Sequence, residues 1–95
     1  MTKEPSPELK MEIKKLIMET LNITDVDPAA VDDEKPLFGS DNALTLDSVD
    51  AIEIIMALQR TYGIRIHDQG LARYVIRSVN SIAEFILAEQ EKNNP

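Results

Sequence analysis

Ser48 sits between Asp47 and Val49, with Asp50 next, where an acidic stretch gives way to an apolar one in LTLDSVDAIE, residues 44–53. A hydroxyl in that place has three uses: nucleophile, helix cap, or anchor for a covalent group. A nucleophilic serine needs a base to take its proton. The single histidine, His67, falls in a predicted loop, no third residue completes a triad, and no G-x-S-x-G elbow surrounds Ser48. Hydrolase chemistry at Ser48 is therefore rejected, and no catalytic residue is assigned. A serine opening a helix is usually a cap. As an anchor, Ser48 would hold a phosphate ester at the positive end of the following helix, where free N–H groups favour an anion, although the neighbouring aspartates do not. The loop acids raise a calcium reading, but Asp41-Asn42-Ala43 breaks the required pattern and Gly39 precedes it. No metal site is expected.

The elements that must position Ser48 follow from spacing. Ser6-Pro7-Glu8 supplies a capping hydroxyl, a proline at the first helical position and an acid in the first turn. Leu9, Ile13, Leu16, Ile17 and Leu21 then recur at helical spacing, predicting a helix from Pro7 to about Leu21. From Asn22 to Leu46 no period persists, and Pro28, Pro36 and Gly39 interrupt the run. This is a long connection for a small domain. Val26, Val31, Leu37 and Phe38 are expected to pin it to the core, with a short helical turn inside it. The next helix should start at Asp47 or Ser48 and stop at Gly63. Ile64-Arg65-Ile66 reads as extended, Gln69 to Arg77 as a short helix, and Ser78 as the cap of a last helix with Val79, Ile82, Phe85 and Ile86 facing inward. The tail EKNNP is expected to be disordered. The resulting class is all-α, a small four-helix bundle with a long loop between its first two helices. It forms one domain over residues 1–95, with an ordered core of about 6–89 and flexible termini.

Composition narrows the partners. The chain of 95 residues has a net charge of −7, no cysteine and no tryptophan. Excess negative charge argues against nucleic acid and for basic partners. The absence of cysteine excludes a disulfide framework, and no stretch has the length of a signal core or membrane span. A soluble, cytoplasmic monomer is expected. The charge is also uneven: residues 25–50 hold eight acids against Lys35, whereas residues 60–77 hold Arg60, Arg65, Arg73 and Arg77 against Asp68.

Placed on a wheel at about 100° per residue, Ser48 to Tyr62 carries more apolar surface than a bundle helix normally needs. Ala51, Ile54, Ile55, Leu58 and Tyr62 form a core face, and Val49, Ile52 and Met56 form a second edge beside Glu53. The simpler expectation is that both edges are buried. The alternative is an exposed apolar and acidic docking ridge, for which an adaptable methionine is suited.

Leu46-Asp47-Ser48-Val49-Asp50, with Ala51-Ile52-Glu53 after it and Tyr62-Gly63-Ile64 closing the helix, resembles the D-S-L-D motif and second helix of acyl carrier proteins. The likeness runs from the first helix through Ser78-Val79 and the last. It implies that Ser48, flanked by Asp47 and Val49, receives 4'-phosphopantetheine from a phosphopantetheinyl transferase using coenzyme A. The arm would carry acyl groups as thioesters for fatty-acid, lipid or polyketide-type synthesis. The resemblance also implies that Val49, Asp50, Ile52, Glu53 and Met56 dock basic patches on partners, among them acyltransferases and ketosynthase-type enzymes. The acyl chain would lie between the second and third helices, lined by Ile54, Leu58 and Ile66.

Some residues depart from the housekeeping pattern. Gln59-Arg60-Thr61 stands where acids are usual, and His67 to Tyr74 contains what reads as a small insertion. Pro36-Leu37-Phe38-Gly39 and Leu44-Thr45-Leu46-Asp47-Ser48 resemble specialised discrete carriers, and the arginines are expected to disfavour housekeeping partners. Two alternatives stay open: an aminoacyl or peptidyl carrier, whose G-G-x-S motif is not matched here, and a helical adaptor whose Ser48 is only a cap.

Overall fold

The computed structural model describes residues 5–38 and 46–93, and the side chain of Asn93 is not described. Gly39, Asp41-Asn42-Ala43 and Leu44-Thr45, which entered the sequence argument, lie outside the described residues. Four helices follow in order: α1 (Pro7–Thr20), α2 (Ser48–Tyr62), α3 (Gln69–Val75) and α4 (Val79–Asn93). A 3-10 turn, Pro28–Ala30, interrupts the long connection between α1 and α2. The expected all-α, four-helix class is the one observed.

Each boundary has a local cause. Ser6 Oγ accepts the Leu9 N–H at 3.1 Å and starts α1, with Pro7 in its first position. Gly63 ends α2 at φ +65°, where its N–H reaches the Gln59 carbonyl at 3.0 Å. A residue with a side chain would be strained there. Ser78 and Ser81 cap α4 reciprocally: the Ser81 N–H donates to Ser78 Oγ at 3.1 Å, and the Ser78 N–H to Ser81 Oγ at 2.9 Å. The Ser81 hydroxyl lies 2.7 Å from the Val75 carbonyl, which fixes the angle between α3 and α4.

The core is aliphatic. Ile13 and Ile17 from α1, Ile54 and Leu58 from α2, and Val79, Ile82 and Ile86 from α4 are essentially inaccessible to solvent. Phe85, expected inside, is half-buried against this cluster, and Ala83 takes a fully buried position. Val31 and Leu37 are buried and Val26 and Phe38 partly so, so the four expected residues do pin the long loop.

Polar contacts finish that attachment. Leu37 N–H donates to the Arg77 carbonyl, and Asn80 N–H to the Asp33 carbonyl, both at 2.9 Å. The largely buried Lys14 meets Asp33 Oδ1 at 2.7 Å, as an ion pair rather than a well-directed hydrogen bond. The exposed Asp32 carboxylate accepts the N–H groups of Glu34 and Lys35, which lowers its pKa below the ordinary carboxylate value.

Ile64-Arg65-Ile66 lies outside any helix or strand; Ile64 and Ile66 are buried, and the Ile66 N–H donates to Gln59 Oε1 at 2.9 Å. An isolated β-bridge joins Phe38 and Leu46, on either side of the undescribed segment. The tail needs correction, because α4 continues through Glu91 and Lys92 to Asn93. No helix breaker precedes Pro95, and Lys92 pairs with Glu89 one turn earlier at 3.3 Å.

Candidate functional site

Asp47 opens α2. Its backbone is extended, and its Oδ1 accepts the N–H groups of Val49 (3.1 Å) and Asp50 (3.0 Å). Asp50 returns the contact by accepting the Asp47 N–H at 3.1 Å, completing a capping box. The expectation of free N–H groups for an anion at Ser48 is thereby narrowed to the N–H of Ser48 itself. Two first-turn donors already belong to the Asp47 carboxylate, and the Ala51 N–H binds the Asp47 carbonyl.

The same geometry answers whether Ser48 is the cap. It is not; Asp47 fills that role. Ser48 occupies the first helical position, is exposed, and makes no hydrogen bond through its hydroxyl to another described residue. His67 is exposed in the loop that precedes α3, separated from Ser48 by the full length of α2 in sequence.

Beside Ser48 a groove of about 750 Å³ opens between α2 and α3. Its α2 wall contains Ala51, Ile52 and Ile55, and its α3 side contains Ala72, Arg73, Ile76 and Arg77. Phe38 and Leu46, joined by the β-bridge, also line it. Ile54, Leu58 and Ile66, expected as the lining of an acyl site, are buried in the core instead. The physical reason is helix phase: Ile54 and Leu58 are one turn apart on the inward face of α2, whereas Ala51 and Ile55 lie beside it. Sequence periodicity identified the apolar residues but not which neighbours faced the opening.

The second edge of α2 is open to solvent. Val49 is 66% exposed, Ile52 61% and Met56 60%. Complete burial, the simpler expectation, is therefore overturned. Glu53 is exposed beside these residues, while Asp50 is half-buried through its cap contact. Gln59, which in the sequence stands out only as a departure from an acidic pattern, accepts the Ile66 N–H through its side-chain oxygen. A glutamine shortly before a glycine stop signals such a contact only once the chain is known to fold back.

Residues 12–86 match the family model described as the phosphopantetheine attachment site. The chain belongs to that family. No curated protein matches it significantly. This is a phosphopantetheine-attachment carrier protein, and its cofactor is covalent 4'-phosphopantetheine. Carrier domains of this family work with phosphopantetheinyl transferases and biosynthetic enzymes, and are generally non-catalytic. The residues present fit such a group. An unengaged, exposed hydroxyl, that of Ser48, lines a largely apolar groove. Among the described residues no helix is long and apolar enough to cross a membrane.

Proposed function

We propose that Ser48 is the attachment residue and that the protein carries acyl intermediates as thioesters for other enzymes. The observation that carries this reading is the exposed Ser48 hydroxyl, relieved of capping by Asp47 and placed on the groove. Attachment forms an ester bond from Ser48 Oγ to the phosphorus of coenzyme A's pantetheine phosphate. The phosphoanhydride bond breaks, adenosine 3',5'-bisphosphate leaves, and the hydroxyl proton passes to a base of the transferase. When bound, the arm supplies a terminal thiol for thioester chemistry.

The chain's own residues have different work. Asp47 and Asp50 hold the start of α2 so that Ser48 faces outward. Ala51, Ile55, Ala72 and Ile76 offer apolar surface to cargo. Val49, Ile52 and Met56, with Asp50 and Glu53, form the surface for basic partners such as an acyltransferase or ketosynthase-type enzyme. An acyl cargo is favoured over an aminoacyl or peptidyl one by the apolar groove and by Leu46-Asp47-Ser48 in place of G-G-x-S. A specialised pathway is favoured by the arginines on α3 and the turn after it.

Incubation with coenzyme A and a broad-specificity phosphopantetheinyl transferase should raise the intact mass by one phosphopantetheinyl group. Ser48→Ala should abolish that gain and leave the helical circular dichroism nearly unchanged. A gain that survives the substitution overturns the assignment.

A further inference from the structure

A phosphodiester on Ser48 would bring negative charge to a place already provided with it. Asp47 lines the same groove, and Asp50 is bonded to its backbone. The Val49 and Asp50 N–H groups that could have received an anion are engaged by Asp47. The α2 side therefore has little to offer a phosphate, and like charges disfavour one another at close range. Across the groove the situation is reversed. Arg73 and Arg77 both line it, are exposed, and form no ion pair with a described residue.

Their backbone is held by its neighbours. Arg73 lies in the last turn of α3, and Arg77 comes four residues after it, just past the end of that helix. The Arg77 carbonyl accepts the Leu37 N–H at 2.9 Å, and the buried Ser78 next to it is held by Ser81. Two guanidinium groups thus start from fixed backbone on one wall. Their planar donor forks suit phosphate oxygens better than an ammonium group does.

We propose that Arg73 and Arg77 bind the phosphodiester of the arm on Ser48 and draw the arm along the groove toward α3. This rests on Ser48 being the attachment residue. The arm then lies on the cationic side of the groove and leaves Val49 and Met56, which do not line it, uncovered for a partner. The arginines act on the carrier's own group, in addition to any effect on an enzyme that approaches.

The test compares apo protein with holo protein bearing a free thiol, in the wild type, in Arg73→Gln/Arg77→Gln and in Arg73→Lys/Arg77→Lys. Intact mass and a Ser48→Ala control first establish where the arm is. No mass gain, or a gain in Ser48→Ala, overturns the attachment reading and this proposal with it. With the arm on Ser48, the Nε–H signals of Arg73 and Arg77 should shift on conversion to holo, while those of Arg60 and Arg65 stay in place. The 31P resonance should differ between wild type and the glutamine variant, and the difference should shrink at high salt because exposed charges are screened. The lysine variant should fall between them. Unmoved arginine signals with the same 31P resonance in all three proteins overturn the proposal alone. Acetyl- and malonyl-loaded samples separate the arm's anion from a cargo carboxylate: arginine shifts that appear only with malonyl assign the site to cargo and overturn the phosphodiester reading.

Discussion

The two edges of α2 carry the same kinds of side chain and meet opposite fates. Ile54 and Leu58 are completely buried in the aliphatic core, whereas Val49, Ile52 and Met56 are more than half exposed on the same 15-residue helix. Intrinsic hydrophobicity cannot explain the difference. Packing partners do: the inner edge joins the buried cluster and packs against α1, whereas the outer edge stays open to solvent. An apolar strip retained at the surface beside an acid is costly for solubility and suits a transient interface. The comparison teaches that α2 serves two surfaces, one holding the fold and one offered outward.

Substitution should divide the two edges most strongly in stability. Ile54→Ala should cost about 2–5 kcal/mol, a large share of what a small domain possesses. Ile52→Ala should stay within about 0.5 kcal/mol. Urea unfolding followed by circular dichroism reads both, and equal losses would erase the distinction.

The outer edge should respond in function instead. Glu53→Lys should slow phosphopantetheinyl transfer roughly tenfold at low salt, through weaker electrostatic encounter with a basic enzyme. Raising the salt should narrow the gap between the variant and wild type. A transfer rate insensitive to both charge and salt would remove Glu53 from the docking surface.

The start of α2 belongs to both edges, and its cap can be weighed by itself. Asp47→Ala should cost about 1 kcal/mol by leaving the Val49 and Asp50 N–H groups without their acceptor. Unchanged stability would show that solvent replaces the carboxylate fully.

The smallest effect is expected at the far end of the helix. Burial pushes the Tyr62 hydroxyl above its ordinary value of 10.0, and negative Glu12 adds to the shift. A raised folded-state value means that the folded protein holds this proton more tightly than the unfolded chain. The associated stability is complete below the unfolded value and is lost as pH rises through the folded one. Tyr62→Phe should remove that alkaline loss, read as a flatter stability profile above pH 10.0. An identical profile would mean that another group governs it.

Local chemistry was legible in the residues themselves. Ser6-Pro7, Asp47 and Gly63 set helix ends because capping and a left-handed stop involve only a few neighbours. The four helices, a helical turn somewhere in the long connection, and Ile13, Ile17, Val79, Ile82 and Ile86 as core residues followed from the same short-range signals and from period. The motif around Ser48 likewise belongs to adjacent residues. What periodicity could not supply was the rotation of α2 against its neighbours. Only the tertiary structure put Ile54 and Leu58 in the core, Ala51 and Ile55 on the groove, and Val49, Ile52 and Met56 in solvent. It also brought Arg73 and Arg77 to the groove that Ser48 lines, across more than twenty residues of chain, and gave Ile66 a partner in Gln59. A sequence specifies which side chains are apolar or charged, but exposure and proximity depend on what the rest of the chain lays against them.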